Sequence, residues 1–317
     1  MTRKEMSQRL VPTAKHHRIK GNFIPLYIMA FPGLLYLLIN NYLPMIGLFV
    51  AFKNVNYAVG LFKSEWIGFK NFEFLFKSNS AFIITRNTIL YNLAFIVILT
   101  TVSVLFAILL NEVKNKVVLS VYQSLILLPY LISMIIVSYL AFAFLSNETG
   151  FINNTLLPKL GMEKIMWYTE PKYWPYILTF INTWKNFGFT CVIYLASIVG
   201  IDMQLYEAAK LDGASKLQQI FHITIPLIKP TIIVMVLLAI GKIFYSDFGL
   251  FYQIPLNSGP LIDVTNTIDT YVSRGLRENS NIGMSAAAGL YQSVVGFVLV
   301  LGANLLVKHF SEGNELF

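Results

Sequence analysis

The sequence predicts an all-α membrane protein with six transmembrane helices. Hydrophobic residues make up 56% of the 317 residues and charged residues 13%, which is about half of the roughly 25% that is typical of a soluble domain. The mean hydropathy is +0.62, and the apolar residues stand in long unbroken runs. These observations exclude a disordered or fibrous chain and argue against a soluble globular fold.

Six apolar runs are long enough for the roughly 20 residues of helix that cross a bilayer. The first run is too long for a cleavable signal peptide and has no small-residue cleavage site. It contains Pro32, Asn40, Asn41 and Pro44, and we expect it to be bent or partly interfacial because proline removes a backbone donor. The runs cover about residues 23–51, 87–111, 117–145, 174–201, 227–250 and 284–307.

The charge distribution predicts that both chain ends lie in the cytoplasm. Six of the 24 Lys and Arg residues precede residue 21, and a basic tail before the first span is an orientation signal. The predicted cytoplasmic segments carry twelve Lys and Arg and the longer outside segments carry ten. The number of Lys and Arg per residue is therefore higher on the predicted cytoplasmic side. We therefore expect a cytoplasmic basic tail over 1–22, a six-helix transmembrane domain over 23–310 and a cytoplasmic tail over 311–317.

Several kinds of chemistry have no motif in this chain. The phosphate loop G-x4-G-K-[ST] is absent from the sequence, so we expect no ATP hydrolysis by this chain alone. The four histidines show no metal-binding spacing, and the sequence has no G-x-S-x-G elbow. The net charge is +8, but no aromatic and basic platform for nucleic acid accompanies the cationic tail over residues 1–22. The single cysteine, Cys191, excludes an intrachain disulfide.

The loop between predicted spans four and five, residues 202–226, carries the run EAAKLDGASKLQQIFHITIP. A glutamate and two alanines are followed after three residues by glycine, and after nine more by I-x-I-P. Small alanines let another surface approach closely, and Gly213 allows the chain to turn. We therefore predict a helix over 203–211, a turn, and a second short helix over about 214–222 that leads to Pro226 at the start of span five.

This run resembles the EAA motif, E-A-A-x3-G-x9-I-x-L-P, of the permeases of binding-protein-dependent ABC importers, with Ile225 where leucine is usual. In that family the loop is a coupling helix that sits in a groove of a cytoplasmic ATPase, and Glu207 would face a cationic group there. The resemblance assigns ATPase coupling to Glu207, Ala208, Ala209, Asp212, Gly213, Ile223 and Pro226.

Three further stretches extend the resemblance from about residue 23 to the C-terminus. Residues 66–72, WIGFKNF, resemble the W/F-x-G-x-x-N-F signature of the carbohydrate-importing branch. Residues 245–275 and 287–308 resemble the branch that imports complex oligosaccharides and polysaccharide fragments. The family implies a bacterial plasma-membrane complex that works by alternating access. Its other members are a second homologous permease, two ABC ATPases that bind ATP and Mg, and an extracellular sugar-binding protein; no cofactor is expected on this chain.

One predicted outside segment, residues 61–77, interleaves aromatic residues with lysines. Such a stretch can lie along the lipid headgroups with its rings turned in and its ammonium groups turned out. The alternative is a docking surface for an extracellular partner.

Two lysines fall inside predicted spans, where a charge costs at least about 2.5 kcal/mol and normally faces a cavity or a partner. Lys185 and Lys242 are expected at similar depth, roughly 12–15 Å below the outer surface at about 1.5 Å per residue. The predicted substrate pathway comprises Trp184, Lys185, Asn186, Lys242, Tyr245 and Asp247. Planar and polar groups suit sugars, and two ammonium groups favour acidic, uronate-containing sugars. The alternative is structural, with each lysine bound to a partner carboxylate or to backbone carbonyls.

The sequence thus predicts the permease subunit of an ATP-driven oligosaccharide importer. The alternatives are a permease for another solute, such as a peptide, and a stand-alone secondary transporter or channel. The EAA loop separates these classes, because a secondary transporter has no need of a lever for an ATPase.

Overall fold

Helices form almost all of the regular structure, which confirms the predicted all-α membrane fold. The computed structural model describes residues 24–73, 77, 79–278 and 281–310, with side chains up to residue 305, and both predicted tails lie outside these residues. The numbered helices are α1 (Ile24–Leu37), α2 (Asn79–Asn111), α3 (Lys116–Leu131), α4 (Met134–Leu145), α5 (Trp174–Val199), α6 (Met203–Leu211), α7 (Lys216–Gln219), α8 (Ile225–Ile240), α9 (Ile268–Arg277) and α10 (Ile282–Phe310).

Shorter elements connect these helices. Two antiparallel strands, β1 (Lys53–Asn54) and β2 (Glu65–Trp66), form a small hairpin. A ten-residue 3-10 helix covers Leu43–Phe52. Short helical turns cover Leu38–Tyr42, Gly68–Phe72, Ile152–Leu156, Leu157–Lys159, Trp167–Thr169, Pro171–Tyr173, Ile220–Thr224, Gly249–Gln253, Gly259–Leu261 and Ile262–Thr265.

Four continuous helical stretches of the described chain are long and apolar enough to cross a membrane. They cover Ile24–Phe52, Asn79–Asn111, Lys216–Ile240 and Ile282–Leu305. Two bent pairs also qualify when each is taken together: α3 with α4, and the stretch Pro171–Val199 with α6. Six spans result if each bent pair crosses the membrane once.

The stretch over residues 24–48 is an apolar helix whose winding changes along its length. α1 contains Pro32, and a π turn follows at Leu38–Tyr42 before tighter 3-10 winding begins at Leu43. Asn40 Nδ2 donates to Tyr36 O at 3.0 Å, one turn earlier. The run that the sequence predicts to be bent or partly interfacial thus changes its helical winding at Leu38–Tyr42 and again at Leu43.

The core within residues 49–305 is built around α2 and α5. One buried cluster joins α2, α5 and α8 through Ala107, Tyr194 and Ile228. α5 also lies very close to α3, because a Cβ atom at Gly188 would stand 1.8 Å from Ile126 O. A small residue is therefore required at this helix crossing, as is common where helices meet in lipid.

The predicted third span, 117–145, is not one straight helix. α3 and α4 meet at an angle of 94°, with Ile132 in extended conformation between them. Ser133 caps α4, since its Oγ accepts a hydrogen bond from Ile136 N at 3.4 Å. A polar residue that can start a new helix thus interrupts a run that hydropathy alone treats as continuous.

The predicted fifth span, 227–250, is displaced toward its amino end. The continuous helix runs over Lys216–Ile240, and residues 241–248 form turns before the next helical turn begins at Gly249. Side chains from other helices hold this irregular segment: the buried Gln292 donates from Nε2 to Phe244 O at 2.5 Å, and Asn92 Nδ2 donates to Ile243 O at 2.9 Å. These long-range partners satisfy carbonyls that a continuous helix would have paired locally.

Candidate functional site

The loop between α5 and α8 begins with a capped helix. Asp202 Oδ1 accepts a hydrogen bond from Gln204 N at 3.0 Å at the start of α6, which is an N-cap. The helix ends at Leu211, so the helix predicted over 203–211 is confirmed.

A glycine turn follows α6 and leads into a long helix. Gly213 has φ of +80°, a conformation that favours glycine, and Ser215 opens α7 with a capping box. The structure therefore has helix over most of the second short helix predicted over about 214–222, but this helix continues through a π turn into α8 instead of ending before Pro226. In that turn Ile225 N donates to Ile220 O, and this wider winding carries the helix past Pro226, which has no N–H to donate.

Four of the predicted coupling residues line one cleft of about 350 Å³ at this turn; they are Ala209, Asp212, Gly213 and Ile223. Glu207, Ala208 and Pro226 are exposed and lie outside the cleft lining. The loop therefore presents a small concave surface with a carboxylate on the helix beside it.

The loop is fixed to the helices beneath it by polar contacts. Tyr206 Oη and Thr224 Oγ1 are 2.9 Å apart. Lys216 Nζ lies 2.9 Å from both carboxylate oxygens of Glu112, which joins the loop to the end of α2. These contacts link α6 and α7 to the helical body.

Apolar side chains of the same loop remain exposed. Leu211 is 89% exposed, Leu217 67% and Phe221 62%. No other part of the described chain covers these large apolar side chains, and Leu217 and Phe221 belong to the candidate span Lys216–Ile240.

A cavity of about 310 Å³ lies between α2, α5, α8 and the turns after α8; apolar side chains form most of its surface, and we call it the polar cavity for the amide, hydroxyl and ammonium groups that also line it. Three predicted pathway residues line it: Asn186, Lys242 and Tyr245. Its other polar lining residues are Asn92, Thr100, Asn182, Thr190, Tyr194 and Ser246. None of the described residues that line it carries a carboxylate, so Lys242 supplies the charge of the cavity.

The remaining predicted pathway residues lie elsewhere. Lys185 is buried and its Nζ donates to the carbonyls of Pro129, Tyr130 and Ile132, with the first two at 3.3 and 3.1 Å. It therefore binds the last carbonyls of α3 and the residue at the break, where helix carbonyls lack intrahelical partners. This arrangement matches the structural alternative that the sequence left open for Lys185.

Trp184 and Asp247 also have structural contacts. Trp184 packs against the cluster around Trp174 and Leu178 and lines an apolar cavity of about 580 Å³. Asp247 Oδ1 accepts a hydrogen bond from Leu250 N at 3.0 Å, at the start of a helical turn.

Sequence reasoning missed the residues that hold the Lys242 side of the cavity. Asn92 Nδ2 donates to Tyr245 O at 3.1 Å in addition to its bond to Ile243 O. Asp269 Oδ2 accepts hydrogen bonds from Ser246 N at 2.7 Å and Ser246 Oγ at 2.8 Å. The available signal was Asn92 itself, a polar residue within an apolar run.

Helices long enough to cross a membrane, with a cavity that contains polar groups among them, are typical of a membrane transport subunit. The chain belongs to the family described as "Binding-protein-dependent transport system inner membrane component", which matches residues 99–312. It is thus a multi-pass membrane permease, and the resemblance inferred from the EAA motif is confirmed.

Individual relatives cover nearly the whole chain. The polygalacturonan/rhamnogalacturonan transport system permease protein YteP of Bacillus subtilis (strain 168) is 38% identical over 289 residues, covering 90% of this chain and 88% of that protein. Protein LplB of the same organism is 35% identical and covers 90% and 89%.

A solved structure has the same fold. It is a crystal structure of a bacterial ABC transporter involved in the import of the acidic polysaccharide alginate, and one of its chains matches with a TM-score of 0.83 at 33% identity. The match covers 92% of this chain and 97% of that one. A crystal structure of bacterial alginate ABC transporter in complex with alginate pentasaccharide-bound periplasmic protein matches with a TM-score of 0.82.

Proposed function

We propose that this permease imports acidic, uronate-containing oligosaccharides. The observation that carries the proposal is the polar cavity, which combines amide and hydroxyl groups with the ammonium group of Lys242 and has no carboxylate among its described lining residues. Amides and hydroxyls can hydrogen-bond sugar hydroxyls, and an ammonium group forms charge-assisted hydrogen bonds with a uronate carboxylate. The names of YteP and of the alginate transporter refer to polysaccharides of this acidic kind.

Each side of the cavity has a separate role in this proposal. Lys242 and Tyr245 supply the charge and an aromatic ring on the irregular segment after α8. Asn182 and Asn186, one turn apart on α5, supply amide groups on the opposite wall. Asn186 Nδ2 already donates to Asn182 O at 2.9 Å, which positions its amide oxygen to accept a bond from a sugar hydroxyl.

The loop over residues 202–226 is proposed as the coupling site for a cytoplasmic ATPase. Support comes from its exposed Glu207, its cleft beside Gly213 and its outward apolar residues such as Leu211. ATP and Mg would bind to the ATPase, and closure of two ATPase subunits would rock the permease between inward-facing and outward-facing states.

The same proposal places both chain ends in the cytoplasm. The ion pair of Glu112 with Lys216 supports this orientation, because it joins two loops that the sequence assigns to the same side. A second homologous permease and an extracellular sugar-binding protein would complete the importer.

The coupling proposal is tested by affinity purification of the tagged chain in mild detergent, followed by mass spectrometry. We expect an ABC ATPase and a second permease to accompany the wild-type chain, and we expect Glu207→Lys to lose the ATPase while it keeps the permease. Glu163→Lys is the matched control, since Glu163 is an exposed glutamate in another loop and its reversal should change nothing. A folded wild-type chain that purifies alone would favour the secondary transporter or channel.

The substrate proposal is tested on the purified complex together with its binding protein. ATPase activity should rise with an oligogalacturonide and remain basal with a neutral oligosaccharide of the same length. Equal stimulation by both sugars would contradict selection for acidic sugars, and stimulation by a peptide alone would favour the permease for another solute.

A further inference from the structure

A second cavity, outside the polar one, lies between the hairpin region and α10. It is an open groove of about 760 Å³. One wall is formed by Phe52, Ile67, Phe69 and Phe72, and the other by Leu290, Tyr291, Val294 and Val295 of α10. Lys70 and Glu73 are the charged residues among its described lining residues.

The aromatic wall of this groove is held in place by polar contacts. Asn71 Nδ2 donates to Ala51 O and to Lys53 O, both at 2.9 Å, which ties the Gly68–Phe72 turn to β1. α10 approaches this anchor closely, because a Cβ atom at Gly283 would lie 2.6 Å from Asn71 Nδ2. The groove is therefore preformed rather than a gap between loose segments.

Stacked rings make this wall rigid. Phe52 stacks on Trp66 with ring centroids 5.6 Å apart and meets the edge of Phe69 at 5.3 Å. Phe69 nevertheless remains 74% exposed, and Val294 on the opposite wall is 54% exposed. Both walls thus offer apolar surface that the described chain leaves uncovered.

The position of the groove along α10 places its apolar part within a membrane. Leu290 and Val294 follow the start of the candidate span at Ile282 by about 12–18 Å at 1.5 Å per residue. The hydrocarbon core is about 30 Å thick, so these residues lie inside it. The charged residues stand on the turn near the helix end, where the headgroups lie.

The charge at the groove rim is positive. Glu73 is paired with Lys77 at 2.6 Å, and the hydrogen bond and charge of Lys77, together with the charge of Lys70, lower the pKa of the Glu73 carboxyl below its ordinary value. Lys70 Nζ makes no hydrogen bond or ion pair with any residue that the structure describes. One ammonium group at the rim is therefore available to an anion.

We propose that this groove binds one anionic phospholipid. One of its two acyl chains lies between the aromatic wall and α10, and its phosphate contacts Lys70. An apolar slot that begins at headgroup level with an unpaired cation and continues into the hydrocarbon region matches the two parts of such a lipid. This inference rests on membrane insertion alone and is independent of the transported solute.

The test is native mass spectrometry of the full chain, purified with the subunits that accompany it. Dioleoylphosphatidylglycerol and dioleoylphosphatidylcholine are added in equal amounts to the detergent solution. We expect one phosphatidylglycerol to stay bound in preference to phosphatidylcholine. Lys70→Gln should reduce this preference about fivefold, which is the effect of losing one lysine at an anionic surface, and Val294→Trp should remove the bound lipid by filling the slot.

Two matched variants lie outside the groove. Lys63→Gln removes another exposed lysine of the same loop, and Val298→Trp enlarges another exposed valine of α10; both should retain the lipid. Equal retention of the two lipids, or retention by Val294→Trp, would overturn the proposal. Loss of a copurifying permease from Val294→Trp, with no lipid on the wild-type complex, would assign the groove to a protein helix instead.

Discussion

The sequence predicts similar positions for Lys185 and Lys242, each inside a transmembrane span and at similar depth. The structure nevertheless gives the two lysines different surroundings. Lys185 lies in the middle of α5 and is 9% exposed, with its ammonium group bound to three carbonyls at the end of α3. Lys242 lies beyond the end of α8 and faces a polar cavity. The comparison shows that the contacts of a charged side chain within the membrane indicate its role. Its depth alone does not distinguish a structural role from a role in transport.

The largest expected effect is on folding, at Lys185. Lys185→Met would leave buried carbonyls at the α3–α4 break without their charged donor, at a cost of about 3 kcal/mol. We expect the purified protein to unfold about 5 °C lower in a thermal scan, whereas Lys185→Arg, which keeps the charge and its donors, should recover part of this loss. An unchanged unfolding temperature for Lys185→Met would remove the distinction between the two lysines.

The next effect is on transport, at Lys242. Lys242→Met removes a charge-assisted hydrogen bond worth about 1.5–3 kcal/mol, so uptake of an oligogalacturonide should fall about ten- to a hundredfold. The unfolding temperature should stay the same, because the side chain is exposed. Lys242→Arg should retain uptake. An equal loss of neutral-sugar uptake in Lys242→Met would show that Lys242 does not recognise the negative charge of the sugar.

A smaller effect should follow at Asn92, which acts on Lys242 through the backbone. Asn92→Leu removes the donor for Ile243 O and Tyr245 O, with an expected cost of about 1–2 kcal/mol. The KM for acidic-sugar uptake should rise more than the maximal rate falls, since the wall that carries Lys242 is loosened. The same variant should leave the α3–α4 break unaffected, so its effect should add to that of Lys185→Met.

The smallest effect concerns a third lysine, Lys216, which is paired at an exposed position. Lys216 and Glu112 have side chains that are 69% and 49% exposed, and exposed pairs contribute about 0–1 kcal/mol. Glu112→Gln should therefore shift the unfolding temperature by less than about 2 °C, and high salt should abolish the shift. A larger, salt-independent shift would mean that this contact is a structural joint of the coupling loop.

Features with local causes could be predicted from the sequence. The bounds of α6 follow from a capping aspartate at position 202 and a glycine at position 213, both within a few residues of the helix ends. The all-α fold follows from the long apolar runs, and the family follows from the fixed spacing of the EAA motif.

Features with distant causes could not be predicted in this way. The break between α3 and α4 is stabilised by Lys185, more than 50 residues later in the chain. The end of α8 at Ile240 is stabilised by Asn92 and Gln292 from two other helices. A hydropathy profile shows such segments as continuous spans. For this reason the sequence predicts that Lys242 lies inside a helix, as Lys185 does.

The bond between Lys185 and α3 also has a consequence for biosynthesis. During synthesis the carbonyls of Tyr130 and Ile132 enter the membrane before their donor exists, because Lys185 is added more than 50 residues afterwards. Until then, water, the insertion machinery or lipid headgroups must satisfy them, since an unpaired carbonyl in hydrocarbon costs several kcal/mol. In a nascent chain stalled between residues 145 and 185, the junction of α3 and α4 would thus lack its stabilising lysine. Folding of the third predicted span therefore depends on synthesis of the fourth.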